Sequence, residues 1–235
     1  MTQATGTAPA RSDAGSLTPG SHETAAVIRH VAHELRQPLS TIEAIAYYLS
    51  MVLPRQDARA RRQVEKLQQV IQQANWILSD AVHFLQASPP HPEVIDLDEF
   101  LSESVRETAR GEKMWVHISL CPRPTLVRLD PDQARHLLRS TLLFFGQACK
   151  PDPRLWVRTS VVDSEVRIEF EGTGANRTVE ELESMFDPFS AHLPASSGLA
   201  LASVRRITET HGGRIEFHSG EGGRLSLVIG LPEAG

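Results

Sequence analysis

The first part of the fold is decided by residues 28–53, which read IRHVAHELRQPLSTIEAIAYYLSMVL. Apolar residues recur there at alternating steps of four and three, the periodicity of a helix that packs one face in a bundle. The members of this stripe are Ile28, Ala32, Leu35, Leu39, Ile42, Ala46, Leu49 and Leu53. The pattern predicts a long amphipathic helix, and Pro38, which lacks a backbone donor, should bend it.

The same rhythm returns after the polar turn Pro54-Arg55-Gln56-Asp57 and stops at Ser88-Pro89-Pro90. Its apolar members are Val64, Leu67, Ile71, Ala74, Leu78, Ala81 and Leu85. Two helices of about 30 residues joined by a short turn predict an antiparallel hairpin roughly 45 Å long. Because one hairpin cannot cover both sides of its stripes, we expect a homodimer with a four-helix bundle. Trp76 and Phe84 are predicted to pack within that bundle.

His33 lies one residue off the first stripe, about 100° around the helix from Ala32. Arg36 and Gln37 share its face, and Glu34 follows it directly. An exposed imidazole beside an acid is typical of a nucleophile that a partner protein must reach, although an ordinary surface histidine is the alternative. The other histidines considered form no cluster with metal-ligand spacing. They are His22, His30, His83, His91 and His136.

The segment His33-Glu34-Leu35-Arg36-Gln37-Pro38-Leu39 resembles the H-box of bacterial two-component histidine kinases, in the subgroup that reads H-E-L-x-Q-P-L. The resemblance extends over nearly the whole chain after residue 20. It implies that His33 accepts a phosphoryl group through one ring nitrogen while Glu34 orients or deprotonates the other. It also implies a response-regulator receiver domain as partner. Gln37 either orients a water that dephosphorylates a bound receiver or is a plain exposed polar residue.

Three regions are expected along the chain: a disordered leader at 1–20, a dimerisation and histidine phosphotransfer hairpin at 21–90, and an ATPase-like domain at 91–235. The leader is rich in Thr, Ala, Ser and Gly and has no apolar core of a signal peptide. We therefore expect no sensor domain ahead of the hairpin. The signal would then arrive from a partner, such as an upstream sensor kinase.

Residues 91–235 mix predicted helices and strands, so the fold class is α+β: an N-terminal helical hairpin and a C-terminal α/β sandwich with the sheet on one side. Strands are predicted at 94–97, 115–120, 125–129, 155–162, 165–170, 214–218 and 224–229. Helices are predicted at 98–110, 131–148, 179–185 and 199–211. Asp130 and Pro131 mark one helix start, and Gly111 is expected to end another. This order resembles the ATP-binding fold of histidine kinases, gyrases and Hsp90-type chaperones.

The resemblance also implies where a nucleotide would bind. Such a site needs an oxygen ligand for Mg²⁺, a buried carboxylate for the adenine amino group, and glycines where the backbone approaches phosphate. The family's motifs place the two N-box asparagines at Ser140 and Phe144 and the adenine-reading aspartate at Gly172. They place phosphate-loop glycines at Gly174, Gly198 and Ala200.

Several of these positions lack the required group. Phe144 has no oxygen, Gly172 has no carboxylate, and Ala200 replaces a glycine. Glu171 could replace the aspartate only with a shift of register. The segment Phe186-Asp187-Pro188-Phe189 is intact. We therefore predict a degenerate nucleotide site and no cofactor, with ATP and Mg²⁺ bound only if the site is active after all.

Composition excludes other classes of function. The net charge is −5, which gives no basic footprint for nucleic acid, and no apolar run has the length of a membrane span. Cys121 and Cys149 are the only cysteines, too few for a disulfide scaffold. We expect a cytoplasmic protein with neither a nucleic-acid nor a membrane partner.

Three functions remain open from the sequence. The first is a His–Asp phosphotransferase with a degenerate kinase-like domain. The second is an ATP-dependent histidine autokinase with an atypical site. The third is a non-enzymatic scaffold that pairs with an intact kinase through the hairpin.

Overall fold

The computed structural model describes residues 19–85, 90–112, 114–149, 151–173, 178–188, 190, 199–220 and 223–235. The predicted leader at 1–18 lies outside them. The helices are α1 (Pro19–Val52), α2 (Ala58–Phe84), α3 (Leu97–Glu112), α4 (Pro131–Ala148), α5 (Val179–Ser184) and α6 (Ala200–Thr210). The strands are β1 (Glu93–Asp96), β2 (Trp115–Ser119), β3 (Leu126–Leu129), β4 (Arg154–Val162), β5 (Glu165–Thr173), β6 (Arg214–Gly220) and β7 (Arg224–Pro232).

Helices α1 and α2 form the predicted hairpin and pack along their stripes. Ala46, Val64 and Ile71 are buried between them, and Leu39, Leu49 and Leu53 pack against this group. The Asp57 carboxylate accepts a hydrogen bond from the Ala60 amide at 3.0 Å, which begins α2. The α1 helix continues through Pro38.

Much of the hairpin's apolar surface stays exposed in a single chain. Leu35, Ile42 and Leu67, all members of the stripes, are 46%, 39% and 38% exposed. An apolar groove of about 370 Å³ runs between the two helices. It is lined by Leu35, Pro38, Leu39, Ile42, Ala74, Ile77 and Leu78. An apolar surface of this kind is typical of a helix face that meets a partner.

The second part of the chain is built on a five-stranded sheet of order β2-β4-β5-β7-β6, with a separate β1–β3 pair. Strand β2 is parallel to β4, and the other neighbours in the sheet are antiparallel. Strands β4 and β5 form the predicted hairpin, and its turn residues Asp163 and Ser164 have φ angles of 51° and 61°. Two consecutive positive φ values are the signature of a tight turn whose twist matches that of the strands.

Helices α3, α4 and α6 cover one face of the sheet and complete the core. Burial alternates along β4, β5 and β7, so one face of each strand meets the helices and the other meets solvent. The prediction of a sandwich with helices on one side is confirmed. Some expected boundaries are wrong. Strands β5 and β7 each extend three residues beyond their predicted ends. Helix α3 continues through Gly111, because a glycine in an exposed helix costs only about 1 kcal/mol.

Among the described residues, no helix combines the length and the apolarity that a bilayer crossing requires.

Candidate functional site

His33 is exposed on α1, together with Glu34 and Gln37, whereas the neighbouring Ala32 is 1% exposed. The predicted separation of the histidine from the packed face is therefore present in the structure. The Gln37 carbonyl accepts a hydrogen bond from the Thr41 hydroxyl at 3.2 Å, so its backbone belongs to the helix while its side chain faces solvent. His30 is exposed on the same helix.

Helix α4 carries the first group of predicted nucleotide-site residues, and Asp130 sets where it begins. The Asp130 carboxylate accepts hydrogen bonds from the Asp132 and Gln133 amides at 3.0 and 3.1 Å and from the His91 amide at 2.9 Å. Fourteen residues beyond this cap, Phe144 is fully buried. Its ring lies edge-on to Phe145 at 5.4 Å and against Phe217 at 5.7 Å. The residue at the position predicted for the metal ligand is thus part of an aromatic core.

Gly172, at the position predicted for the adenine-reading aspartate, is buried in β5, and a side chain there would force its neighbours to shift. A Cβ placed there would lie 2.6 Å from Sγ of Cys149, 3.1 Å from the Phe145 ring and 3.3 Å from the Arg154 carbonyl oxygen. Contacts below 3 Å do not occur between such atoms without a shift of the backbone or its neighbours. A carboxylate at this position does not fit the structure.

Glu171 does not take over that role, because successive residues of a strand point to opposite faces of the sheet. Its side chain lies on the solvent face, where Nη1 of Arg224 stands 3.6 Å from its Oε1. In the sheet, Trp156 and Ser226 flank Glu171, and Leu155 and Leu225 flank Gly172.

The remaining nucleotide-site predictions are only partly covered. Gly174 and Gly198 lie outside the described residues. Ala200 is buried as the first residue of α6, and Leu199 before it supplies no side-chain hydrogen bond to the helix start. Phe186, from the intact segment, packs on Phe217 at 5.1 Å.

The structure brings three of the predicted residues to one cavity of about 470 Å³. Ser140, Phe144 and Ala200 line it, while Gly172 does not. The opposite wall comes from α2, through Trp76, Ser79, Asp80 and His83, and from α3, through Glu103, Ser104 and Glu107. The cavity therefore lies at the junction of the hairpin and the C-terminal domain. Within the described part of the chain, no three metal-binding side chains converge.

The packing of Trp76 and Phe84 corrects the prediction that they belong to the bundle. The guanidinium of Arg139, on α4, stands 5.4 Å from the Trp76 ring centre, and that of Arg206, on α6, stands 5.9 Å from the Phe84 ring centre. Arg206 also donates a hydrogen bond to the Phe84 carbonyl. Cation–π contacts of this type hold the end of α2 on the C-terminal domain rather than on its own bundle.

A buried polar cluster at this junction was not anticipated from the sequence. Nε2 of His136 stands 2.9 Å from the Ser203 hydroxyl, 3.3 Å from Oδ1 of Asp80 and 3.4 Å from the Ser140 hydroxyl. The Ser140 hydroxyl donates to Oδ1 of Asp80 at 3.2 Å. The His83 ring stacks on His136 with centres 3.9 Å apart. We name Asp80, His136, Ser140 and Ser203 the junction cluster.

The ionisation of the junction cluster is perturbed by burial. Burial raises the pKa of Asp80 to about 7, against the opposing effects of the Ser140 hydrogen bond and the Arg139 charge. Burial also lowers the pKa of His136 well below its usual value, and the nearby His83 and Arg139 charges act in the same direction. The sequence gives no signal for this cluster, because Asp80 lies off the apolar stripe of α2, where a polar residue is expected.

Comparisons with known proteins agree with the fold. Residues 129–235 match the family described as histidine kinase-, DNA gyrase B- and HSP90-like ATPase. The sensor histidine kinase ZraS of Klebsiella oxytoca is 26% identical over 87% of this chain and 45% of its own length. The sensor protein kinase WalK of Staphylococcus aureus is 24% identical over 87% of this chain and 52% of its own. The chain thus spans about half the length of these curated relatives.

Solved structures show the same fold at low sequence identity. Full-length ShkA in complex with AMPPNP matches 89% of this chain and 46% of its own, with a TM-score of 0.64 and 20% identity. The mycobacterial sensor histidine kinase MprB matches 61% of this chain and 98% of its own, with a TM-score of 0.56 and 21% identity. With a helical hairpin followed by an ATPase-like domain, the chain is similar to bacterial two-component sensor histidine kinases.

Proposed function

We propose that the chain acts in two-component signalling as a phosphotransferase, in which His33 exchanges a phosphoryl group with an aspartate of a response-regulator receiver domain. One observation carries the proposal. The His33-Glu34 pair is exposed, while the positions of the family's metal ligand and adenine contact, Phe144 and Gly172, are closed by core packing.

The transfer needs only groups that the hairpin offers. A neutral ring nitrogen of His33 attacks the phosphorus of the receiver's aspartyl phosphate, the P–O bond to the aspartyl oxygen breaks, and the carboxylate leaves with the electron pair. Glu34 takes or holds the proton of the other ring nitrogen, which keeps the phosphorylated ring neutral. The reverse sequence returns the phosphoryl group to the receiver. Both directions require an exposed imidazole, which His33 has.

We propose further that the C-terminal domain takes no nucleotide cofactor. The carboxyl groups that line the junction cavity outnumber its guanidinium groups, which disfavours a triphosphate. The carboxyl groups are those of Asp80, Glu103, Glu107 and Asp132, and the guanidinium groups are those of Arg135 and Arg139. The domain would then serve as a scaffold that retains the family's fold and can still support receiver docking.

The exposed apolar groove of the hairpin supports assembly as a homodimer. Leu35, Ile42 and Ile77 line it and are each more than a third exposed in a single chain. Burying such side chains contributes about 25 cal/mol for each Å² removed from water. A second hairpin presents the same surface, so a two-fold bundle would cover both copies.

The test offers radiolabelled phosphoryl receiver domains to the full chain and follows acid-labile, base-stable phosphate on it. The wild type should be labelled and His33→Ala should not. His30→Ala is the matched control, because His30 is also exposed on α1 but is followed by Val31 rather than an acid. Equal labelling of the His33→Ala protein would remove His33 from the proposal. A wild type that no receiver labels would favour the scaffold function.

The second candidate, an ATP-dependent autokinase, is favoured by the matches to sensor histidine kinases and by the intact Phe186-Asp187-Pro188 segment. Incubation of the full chain with labelled ATP and Mg²⁺ separates the two candidates. The phosphotransferase proposal expects no label on His33 without a phosphorylated partner. Label on the wild type that is absent from His33→Ala would establish the autokinase instead.

A further inference from the structure

We propose that the junction cluster is a proton-linked latch, which holds the C-terminal domain on helix α2 and weakens when the cluster gains or loses a proton. This inference goes beyond phosphotransfer and does not depend on it, because it concerns how the hairpin and the domain are joined.

The residues of the junction cluster come from both parts of the chain. Asp80 belongs to α2, His136 and Ser140 to α4, and Ser203 to α6. All four are less than 10% exposed: Asp80 6%, His136 8%, Ser140 5% and Ser203 0%. Three separate helices therefore meet through polar atoms that have almost no contact with solvent. The hairpin contributes the Asp80 carboxyl group. The C-terminal domain contributes the other three members of the cluster.

When the junction opens, the buried polar groups of the cluster lose their hydrogen-bonding partners. A buried carboxyl, imidazole or hydroxyl group without a partner costs free energy, so the cluster is stable only with all partners in place. On opening, water replaces each partner, and the cost disappears. Buried polar contacts of this kind add little net strength, but they favour one docked arrangement over others. The apolar and cation–π contacts of Trp76 and Phe84 supply the remaining attraction.

Docking depends on pH if the docked and the open junction bind different numbers of protons. Below about pH 7 the docked cluster holds one proton, because the pKa of Asp80 is raised to about 7 while that of His136 is lowered. In water, the carboxyl and imidazole groups titrate near their ordinary values of about 3.9 and 6.5. Between those values the separated groups also hold one proton, so docking should depend little on pH. Above about pH 6.5 the separated groups release that proton before the docked cluster does, and below about pH 3.9 they take up a second one, so docking weakens at both ends.

Asp80 and His136 make docking depend on pH in opposite directions. The pKa of Asp80 is raised to about 7, so its contribution to docking is complete below its ordinary pKa and is lost as the pH rises toward 7. The pKa of His136 is lowered, so its contribution is complete above pH 6.5 and is lost as the pH falls. Other charged or titratable groups around the junction are His83 on α2, Glu103 and Glu107 on α3, Asp132, Arg135 and Arg139 on α4, and Arg206 on α6.

Single substitutions should therefore separate the two dependences. In His136→Gln only the carboxyl group titrates, and docking should weaken by up to about tenfold for each pH unit between pH 4 and 7. In Asp80→Asn only the imidazole titrates, and docking should weaken as the pH falls below 6.5. Both replacements keep a hydrogen-bonding group of similar size. Asp152→Asn, which removes an exposed carboxylate of the same domain, is the matched control and should keep the wild-type profile.

Trp76 provides the measurement. The other two tryptophans, Trp115 and Trp156, are 51% and 40% exposed on the sheet, away from the junction. In a full chain carrying Trp115→Phe and Trp156→Phe, emission comes from Trp76 alone, which lies under the Arg139 guanidinium when docked. Opening should shift its emission to longer wavelength and increase quenching by acrylamide. Both would be followed from pH 4.5 to 8.5.

Opposite pH slopes in His136→Gln and Asp80→Asn, with the control unchanged, are the expected result. The proposal is wrong if both variants keep the wild-type profile. Hydrogen exchange of the amides of the buried residues Ile168 and Phe170 in β5 distinguishes opening of the junction from unfolding of the whole domain. If those amides open in step with the Trp76 signal, the cluster stabilises the whole fold rather than latching two parts of it, which also overturns the proposal. Ser203→Ala, which leaves both titrating groups, should weaken docking without adding a pH slope.

Discussion

Sγ of Cys149 lies 2.6 Å from the point where a side chain on Gly172 would begin. The residue that follows α4 thus occupies the space that a side chain at position 172 would need. Burial raises the pKa of the Cys149 thiol to about 11, so this group fills the space as a neutral, apolar atom. The close packing indicates that a larger residue at position 172 would also require changes in its neighbours.

Restoring the family's aspartate should therefore fail to restore a nucleotide site. We expect Gly172→Asp to lower the free energy of unfolding by about 1–3 kcal/mol, the usual cost of overpacking, and more if the carboxylate stays charged. Adding Cys149→Ala should recover part of the loss, because it removes the nearest atom. Urea denaturation measures both variants. Gly111→Asp, at an exposed position with open space, is the control.

The wild type should bind no ATP at millimolar nucleotide with Mg²⁺. Phe144 offers no oxygen for the metal, and Gly172 offers no acceptor for the adenine amino group. Isothermal titration calorimetry with Mg-ATP is the direct measurement. Micromolar affinity would contradict the expectation and revive the autokinase.

Charge placed on the hairpin groove should break the dimer. Leu78 lines the groove and Leu67 is 38% exposed in a single chain, so Leu78→Glu or Leu67→Glu would bury an unpaired carboxylate between two copies. Such a charge costs several kcal/mol, and we expect monomers or partly unfolded chain in sedimentation velocity. Lys66→Glu changes an exposed charge on the same helix and should leave the dimer intact. A wild type that sediments as a monomer at micromolar concentration would rule out the bundle.

Glu34 and Gln37 should affect rates without removing the acceptor. Glu34→Ala should slow labelling of His33 by about 10²-fold or more, the usual contribution of a positioned acid or base. Gln37→Ala should slow release of phosphate from a bound receiver if it orients water, and should leave labelling unchanged. Time courses with labelled receiver measure both steps. Loss of all labelling in Glu34→Ala would mean that Glu34 does more than handle a proton.

The Asp130 cap should stabilise α4 in a pH-dependent manner. Partial burial raises the pKa of Asp130, but hydrogen bonds from the His91, Gln133 and Asp132 amides and the charge of His211 outweigh it, so the net shift is downward. A lowered pKa gives a contribution that is present above about pH 4 and is lost in more acidic solution. We expect Asp130→Ala to cost about 0.5–2 kcal/mol at neutral pH and Asp130→Asn much less, both measured by urea denaturation. Equal losses in the two variants would assign the effect to charge rather than capping.

The sequence by itself determined those features that depend on neighbours along the chain. The three-four spacing of apolar residues predicted both helices of the hairpin, and the position of His33 one residue off the stripe predicted its exposure. Asp130 before Pro131 predicted the start of α4, and Asp163-Ser164 predicted a tight turn. Each of these signals acts through hydrogen bonds or side chains within a few residues, so the local sequence contains it in full.

Only the tertiary structure decided the features that depend on residues far apart in the chain. Asp80 and Ser140 are 60 positions apart, and His136 and Ser203 are 67 apart, yet all four meet in one buried cluster. Trp76 and Phe84 were predicted to pack within the bundle, but they contact arginines of α4 and α6 at the domain junction. The spacing of apolar residues indicates that a side chain is buried, but it does not identify the residues that bury it. The covering partner is fixed by how the helices pack, because contact energies between distant residues outweigh local preference there.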